Sequence, residues 1–382
     1  MVNRPRVLLI GVGGYGNVYL REMTAHDTGA DIAGICETDP RIGERFPIIA
    51  ERRIPVYSSL EAFYAENTAD LAVIVSPVHY HTEMTLTCLA HGTHVLCEKP
   101  LCLTLEEADR MAEASRATGK FIALGYQLDY RRDVLALKRD ILAGRFGRPQ
   151  RLAIYHCYRR GAKYYARNNW AGRIRVDGRE VFDSPFTNAC AHNFQMMTFL
   201  LGDSMRTACD LTQVESELYH GNPNVENYDI AALRFRTADG AQLLYYTAHP
   251  LKPVDLGPYG VFEFEKGTVT FDSEKPSFKA VMRDGAQIDY AAIDPGHPLQ
   301  KLYDALDCVK NGGAPICGVE ADRPHIRAVR MVQAQSVRPV REDLRCTMEA
   351  DGDTFLYIRG LEDVFAQSAR AWALPGEIGY KL

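Results

Sequence analysis

The stretch VLLIGVGGYG, residues 7–16, decides the fold of the first part of this 382-residue chain. Its four leading apolar residues predict a buried strand, and a helical pattern follows to about Thr24. Residues 11–16 fit G-x-G-x-x-G between the two elements. Glycines at these positions allow a tight turn, a close approach of pyrophosphate to the backbone, and close packing of the helix. The helix N-terminus then directs unpaired N–H groups at a phosphate.

An acidic residue about 20 positions further on completes this signature. Asp31–Cys36 is an apolar run that predicts the second strand, and Glu37 follows it, 21 residues after Gly16. Its carboxylate can accept hydrogen bonds from ribose hydroxyls and would repel a 2′-phosphate. The pattern predicts an NAD site, with NADP as the alternative, because Arg41 and Arg45 could meet a 2′-phosphate if the loop bends inward.

Strand and helix signals alternate as far as Gly125. Further strands are expected at 71–75, 94–97 and 121–124, and helices at 80–91 and 104–118, the latter opened by the capping box of Thr104 and Glu107. This alternation predicts βαβ units and a doubly wound parallel sheet, a Rossmann domain over residues 1–125.

Longer alternating runs follow at 151–158, 229–235, 242–247 and 260–264. They predict an open, mainly antiparallel sheet with one face in solvent. Helices are expected at 130–143, 189–201, 299–310, 320–337 and 361–370. The fold class is therefore α/β, with a second α/β domain, for substrate binding and oligomerisation, over residues 126–382.

Composition narrows the classes of partner. The formal charge is −5, with 46% hydrophobic and 24% charged residues, so we expect neither nucleic-acid nor membrane binding. Ten scattered cysteines, and a start without a signal-peptide cleavage pattern, indicate a reduced, cytoplasmic protein. His79 and His81 cannot close a zinc site without further ligands, and no suitably spaced acid or cysteine accompanies them, so no metal is predicted.

Glu98-Lys99-Pro100 follows the strand that ends at Cys97. It therefore falls at the carboxyl edge of the sheet, where open α/β folds bind ligands. A lysine there can donate to a substrate oxygen beside a nicotinamide. A charge pair on a surface loop is the alternative explanation of these three residues.

Four segments together resemble the Gfo/Idh/MocA oxidoreductase family in order and spacing: GVGGYG at 11–16, SPVHYH at 76–81, HVLCEKPL at 94–101 and GRFG at 144–147. The resemblance covers most of the chain. It implies oxidation or reduction of a sugar, cyclitol or related alcohol, and a homodimer or homotetramer formed through the open sheet. The cofactor contacts that the glycine motif and the resemblance predict are Gly11, Gly13, Tyr15, Gly16, Asn17, Glu37, Ser76, Pro77, His81, Glu98 and Gln127.

In that family a helix of the second domain carries Asp-x-x-x-His. Here it has Asn188 and His192, and Gln195 stands where a second aspartate is usual. Spacing of four residues puts Asn188 and His192 on one helical face. The resemblance implies that His192 exchanges a proton with the substrate hydroxyl while Lys99 orients and polarises its oxygen. Asn188 cannot stabilise an imidazolium as a carboxylate does, so the resemblance does not by itself imply a standard inositol or glucose dehydrogenase, and the substrate could differ.

Residues 155–179 are rich in aromatic and basic side chains. Nucleic-acid binding, a solvated arginine-rich loop and a substrate wall each account for such a composition. Net acidity argues against the first, and the second suits 173–179. Because the segment leads toward Asn188 and His192, a substrate wall is predicted for Arg160, Tyr164, Tyr165, Asn169 and Trp170.

We expect from these patterns an NAD(P)-dependent dehydrogenase or reductase acting on a secondary hydroxyl or ketone of a sugar, cyclitol or glycoside. One alternative is a glycosidase that uses NAD transiently, by oxidation, elimination and re-reduction, with no net cofactor turnover. Another is a non-catalytic NAD-binding regulator. The presence of both Lys99 and His192 favours catalysis.

Overall fold

The computed structural model describes residues 4–252, 254–272 and 278–382. The chain forms two compact units. The first contains the described residues of Met1–Tyr130 together with Gly296–Arg323, and the second contains those of Arg131–Pro295 and Pro324–Leu382.

The elements of both units are numbered along the chain. The strands are β1 (Arg6–Ile10), β2 (Asp31–Cys36), β3 (Val56–Tyr57), β4 (Leu71–Ile74), β5 (His94–Cys97), β6 (Ile122–Leu124), β7 (Pro149–Cys157), β8 (Arg175–Val176), β9 (Arg179–Glu180), β10 (Leu211–His220), β11 (Ile230–Thr237), β12 (Gln242–Ala248), β13 (Leu256–Phe264), β14 (Gly267–Phe271), β15 (Phe278–Met282), β16 (Gln287–Asp289), β17 (Val337–Pro339), β18 (Arg345–Ala350) and β19 (Asp353–Ile358). The α-helices are α1 (Gly16–Ala25), α2 (Ile42–Arg45), α3 (Ile48–Glu51), α4 (Leu60–Glu66), α5 (His81–Ala90), α6 (Leu105–Thr118), α7 (Arg132–Leu142), α8 (Ala162–Ala166), α9 (Ala191–Leu200), α10 (Gln300–Asn311), α11 (Val319–Gln333) and α12 (Leu361–Ala371).

The first unit contains the predicted parallel sheet. Its six strands lie in the order β3-β2-β1-β4-β5-β6, and every pair is parallel. The order reverses between β1 and β4, so the carboxyl ends of these two strands border the crevice in which such folds bind dinucleotides. The Rossmann architecture is confirmed, as is the capping box of Thr104 and Glu107 at α6.

Residues 296–323 return to the first unit. The apolar face of α10, which includes Leu302, Ala305 and Leu306, packs into the same core as Val7, Leu9 and other residues of β1 and β4. The change of pattern near residue 125 does not reveal this return, because the amphipathic pattern of a helix does not specify which sheet it covers.

The second unit is built on nine strands in the order β16-β15-β14-β13-β7-β12-β11-β10-β17. Most pairs are antiparallel, while β7 with β12 and β10 with β17 are parallel. The open, mainly antiparallel sheet is therefore confirmed. The expected helix at 320–337 is wrong at its end: it stops at Gln333, and Val337 pairs with Leu218, because strand pairing overrides the helical pattern there.

The expected solvated face is also wrong for the central strands. On β12, Tyr245 contacts the rings of Phe186 and Phe194, whereas Tyr246 packs on the other face against Phe365 of α12. The segment from β18 to the C-terminus supplies this second layer. Consequently every residue of Ile230–Leu233 in β11 and of Leu243–Ala248 in β12 is buried, and exposed residues do not alternate with buried ones there. Among the described residues, no helix is long and apolar enough to cross a bilayer.

The C-terminal layer should carry much of the stability of the second unit. Replacing the fully buried Phe365 by alanine is expected to lower the free energy of unfolding by about 3–5 kcal/mol, because the pocket against Tyr246 cannot collapse. Urea unfolding followed by circular dichroism measures this. Gln367→Ala on the exposed side of α12 is the matched control, with a change within about 0.5 kcal/mol. Equal values for the two variants would contradict a core role for the C-terminal layer.

Candidate functional site

The glycine turn between β1 and α1 is shaped by close contacts that no side chain could share. Gly11 has a φ of +81°, and a Cβ there would lie 2.9 Å from the carbonyl oxygen of Val75. A Cβ at Gly16 would lie 2.0 Å from the Gly11 oxygen, whereas one at Gly14 would meet nothing within 4 Å. The α1 N-terminus has neither a side-chain cap nor an acid in its first turn. Its N–H groups therefore suit an anion placed against the turn.

Glu37 lies beside this turn at the end of β2. One carboxylate oxygen accepts from the backbone N–H groups of Val12 and Gly13, at 3.0 and 3.1 Å, and the other accepts from Thr38 at 2.9 Å. The guanidinium of Arg45 donates to the Gly13 oxygen at 2.9 Å. The predicted ribose acceptor is thus anchored on the glycine turn itself, with one arginine adjacent.

A cavity of about 570 Å³ opens beside Glu37. It is lined by the glycine turn, the ends of β2 and β4, the start of α4 and one side of α5. The predicted Ser76 and Pro77 line it. Sequence reasoning missed the polar lining residues Ser59 and Glu61 because the short strand β3 and helix α4 had not been expected, and it also missed Glu83, which lies on the expected helix α5. Ser59, the N-cap of α4, was the available signal.

Two buried polar atoms near the turn lack a hydrogen-bond partner within the described part of the chain: Asn17 Oδ1 and Ser76 Oγ. Buried polar atoms are normally paired. These two atoms, the glycine cradle and the uncapped helix end all suit a dinucleotide with a pyrophosphate. In the described ranges no group of three or more histidine, cysteine or acidic side chains could hold a metal ion.

Glu98, at the end of β5, is held by an ion pair that sequence reasoning missed. Its carboxylate accepts from Lys301 of α10 and from the hydroxyl of Tyr19 at 2.6 Å, and the Lys301 ammonium also donates to the Gly125 oxygen at 3.0 Å. Burial opposes ionisation of Glu98, but Lys301 and the Tyr19 hydroxyl outweigh it and lower its pKa. The Glu98 carboxylate is therefore engaged by buried partners. It also accepts a hydrogen bond from the backbone N–H of the neighbouring Lys99 at 3.3 Å.

His81 is a second buried residue that holds the segment around Lys99. Only 1% exposed, it lies with Nδ1 2.9 Å from the Pro100 oxygen and Nε2 2.7 Å from the Ser76 oxygen. It links the segment after β4 to the segment that carries Lys99. Of the remaining predicted cofactor residues, Tyr15 is exposed with its ring 5.1 Å from the Lys301 ammonium, and Gln127 opens a short 3-10 helix.

The buried pair gives a prediction for stability. Lys301→Met leaves the Glu98 carboxylate buried without its cation and should lower the free energy of unfolding by about 3–5 kcal/mol. The double variant Glu98→Gln/Lys301→Met removes both charges and should recover a large part of that loss. Denaturant titration measures both, and Lys310→Met, an exposed position on the same helix, is the control. A double variant no more stable than Lys301→Met would show that the unpaired charge is not the cause.

In the second unit, the segment with Asn188 and His192 differs from the expected single helix. A π-helical turn, Pro185–Ala189, begins after the N-cap Ser184 and ends at Cys190, where α9 starts. Asn188 lies in the π-helical turn and His192 in the first turn of α9, and both are half-buried. The Asn188 amide donates to the carboxylate of Asp183 at 2.8 Å. Asp183 is a further residue that sequence reasoning missed, because it stands outside the four-residue spacing.

The predicted substrate residues come together with one exception. The Arg160 guanidinium lies 4.6 Å from the ring of Tyr164, which contacts Tyr165 edge to face. Arg167 bridges the rings of Tyr164 and Trp170 at 3.9 and 5.2 Å. Burial raises the pKa of Tyr164 to about 12, and the charge of Asp183 adds to this. The exception is Asn169, which is exposed.

Two buried histidines, which sequence reasoning missed, border this aromatic cluster. His249 packs against Tyr164 and Tyr165, and His156 of β7 lies 2.9 Å from the amide of Asn193. Burial and the nearby charge of Arg160 lower the pKa of each histidine to about 3, so both are neutral near pH 7. A histidine in an otherwise apolar strand was the signal for His156.

Several polar atoms of this region are buried without a hydrogen-bond partner among the described residues. They are His156 Nε2, Arg160 Nε, Tyr165 Oη, Asn193 Oδ1 and Thr247 Oγ1. Such a concentration of buried polar groups is costly unless ordered water or a ligand pairs with them. These atoms could form hydrogen bonds with a molecule that carries several hydroxyl or carbonyl groups.

Two curated oxidoreductases are similar to this chain in sequence. Inositol 2-dehydrogenase 1 of Saccharopolyspora erythraea is 26% identical over 201 residues, which cover 52% of this chain and 55% of that protein. The 1,5-anhydro-D-fructose reductase of Ensifer adhaerens is 26% identical over 292 residues, 75% of this chain and 83% of that protein. The chain thus spans about half the length of several curated relatives that it matches.

A solved structure shares the fold. The WlbA dehydrogenase from Bordetella pertussis, in complex with NADH and UDP-GlcNAcA, superposes with a TM-score of 0.70 at 23% identity, covering 86% of this chain and 95% of that chain. The family match lies in the first unit, where residues 5–126 fit the model of an oxidoreductase family with an NAD-binding Rossmann fold. Over these residues the chain is similar to the Gfo/Idh/MocA oxidoreductase family.

Proposed function

We propose that this protein is an NAD-dependent dehydrogenase or reductase that acts on a secondary hydroxyl or ketone of a sugar, cyclitol or glycoside. The observation that carries the proposal is the position of Lys99. It follows β5, the strand beside β4, at the carboxyl edge of a sheet whose order reverses at a glycine turn. Curated relatives named as inositol and anhydrofructose oxidoreductases support the substrate class.

The cofactor site favours NAD over NADP. Glu37, Glu61 and Glu83 line the cavity beside the glycine turn, and three carboxylates disfavour a 2′-phosphate. Arg45 is the adjacent cation, and it is already engaged with the Gly13 oxygen and with Asp39 at 3.3 Å. We propose contacts with the dinucleotide for the glycine turn, Asn17, Glu37, Ser76 and Pro77. Glu98 and His81 act by holding the segment that carries Lys99 in place.

The chain's own residues supply positioning and proton transfer. When bound, NAD supplies or accepts the hydride. We propose His192 as the group that takes the proton from a reacting hydroxyl, or returns it in the reverse direction, and Lys99 as a donor to a substrate oxygen. Such acid–base help is worth roughly 10²–10⁴-fold in rate. Asn188 offers a hydrogen bond near His192.

The cluster in the second unit suits a sugar ring. Tyr164, Tyr165 and Trp170 offer apolar faces for the C–H side of a ring, while the unsatisfied atoms of His156, Arg160 and Asn193 can pair with its hydroxyls. Arg160 and Arg167 give this region a positive charge that also suits an acidic sugar. Asn169, which is exposed, has the weakest support among the predicted substrate residues.

Two broader expectations also remain proposals. A cytoplasmic location is proposed from the cysteine pattern, and eight of the ten cysteines are buried. A homodimer or homotetramer is proposed from the family resemblance.

A cofactor assay and a substrate panel test the proposal together. The purified protein is denatured and its released dinucleotide identified, and sugars, polyols, uronates and glycosides are then screened by reduced-nicotinamide absorbance. We expect turnover with one class of sugar, and a loss of roughly 10²-fold or more in kcat/KM for Lys99→Ala and His192→Ala. Lys310→Ala is the control and should leave turnover unchanged.

Other outcomes of this assay would replace the proposal. Bound NAD with sugar release from a glycoside but without net reduction would identify a redox glycosidase. Dinucleotide binding without turnover, unaffected by Lys99→Ala and His192→Ala, would identify a regulator.

Discrimination between cofactors gives a separate prediction. In Glu37→Ala the ratio of the NADP to the NAD dissociation constant should fall by roughly tenfold or more, because repulsion of the 2′-phosphate is lost and Arg45 remains. Calorimetric titration of both nucleotides measures the ratio. Glu44→Ala, an exposed neighbour, should not change it, and Glu37→Ala/Arg45→Ala should lose most of the gain. Equal weakening of both nucleotides in Glu37→Ala would remove Glu37 as the discriminating residue.

A further inference from the structure

Asp183 is held in a single orientation within the second unit. It is 4% exposed, and its Oδ2 accepts from the backbone N–H of Gly172 at 2.7 Å. Its own backbone N–H donates to the Arg173 oxygen at 2.9 Å, and its carbonyl accepts from Asn227 at 3.2 Å. Gly172 has a φ of +72°, and a Cβ there would press on Tyr165 and Val225. The loop around Asp183 therefore has little freedom to move its carboxylate.

The remaining oxygen, Oδ1, accepts from the Asn188 amide at 2.8 Å. A carboxylate only accepts hydrogen bonds, whereas an amide has a donating nitrogen and an accepting oxygen. The nitrogen of Asn188 must therefore face Asp183, and its oxygen must face elsewhere. This decides the orientation of a side chain that could otherwise turn either way.

We propose that Asp183 is a positioning residue, which turns the Asn188 amide so that its oxygen is offered as a hydrogen-bond acceptor from the π-helical turn that precedes α9 and His192. The role rests on the proposed function, since the acceptor serves the substrate or the catalytic groups.

This arrangement accounts for asparagine at position 188. An aspartate there would offer an acceptor together with a negative charge. The Asp183–Asn188 pair keeps the acceptor and moves the charge onto Asp183, five residues earlier in the chain. Reversing the pair, with Asp183→Asn and Asn188→Asp, should preserve both the hydrogen bond and an acceptor at position 188. Removing the acceptor with Asn188→Leu should not.

The orientation is tested without any substrate. In an isotope-labelled amide NMR spectrum of the full chain, the Asn188 side-chain NH₂ is assigned by its disappearance in Asn188→Asp. We expect its protons to be protected from exchange with water, and to lose that protection in Asp183→Leu. Asp177→Asn, in the exposed turn between β8 and β9, is the control and should change nothing. Circular dichroism and thermal unfolding establish that each variant is folded.

The role of the oxygen is tested by kcat/KM with the substrate found above. The reversed pair should retain more activity than Asn188→Leu, which should lose roughly tenfold or more. An unprotected Asn188 amide would overturn the inference whatever the activity, and so would a reversed pair as inactive as Asn188→Leu. Absence of hydride transfer in the wild type would overturn the proposed function instead, while the amide protection would still decide whether Asp183 orients Asn188.

Discussion

The buried ion pair between Glu98 and Lys301 is the interaction on which the proposed catalytic edge depends. It joins residues 203 positions apart and brings α10 against the end of β5. Removing two charges from water costs several kcal/mol each, and a buried pair offsets this only when further hydrogen bonds complete it. Tyr19 and the Gly125 carbonyl provide those bonds. Gly125 must be glycine, since a Cβ would lie 2.5 Å from the Glu98 carboxylate.

This pair connects the stability of the fold to the position of Lys99. The lysine follows directly on Glu98, and on its other side Pro100 is linked through its carbonyl to His81. The segment is thus fixed on both sides by Glu98 and His81, which are not among the residues that line the cavity. Such support is what a donor to a reacting oxygen requires, because misplacement by 1 Å can cost about 10²-fold in rate.

The sequence predicted most accurately those features of the fold that depend on a local pattern of residues. The glycine turn, the acid after β2 and the capping box of α6 depend on backbone geometry within a few residues, and the strands of the parallel sheet are nearly continuous apolar runs. Sequence could not predict what long-range packing determines. Nothing around Lys301 indicates a buried cation, and nothing around Asp183 indicates a partner for Asn188. Strand β10, with its mixed polar composition, is a strand because β11 and β17 pair with it.

The C-terminal layer limits how a second copy of the chain could meet the sheet. An open sheet exposes a face that a partner can cover, but here the chain's own segment from β18 onward covers β11 and β12. Exposed apolar side chains on the sheet lie further along, at Val261 of β13 and Val281 of β15, which are 39% and 52% exposed. Scattered exposed valines are ordinary on a protein surface. A partner on the central strands β11 and β12 would first have to displace a layer in which Phe365 and Leu361 are completely buried. An oligomer formed through the face of this sheet would therefore use strands β13 to β16.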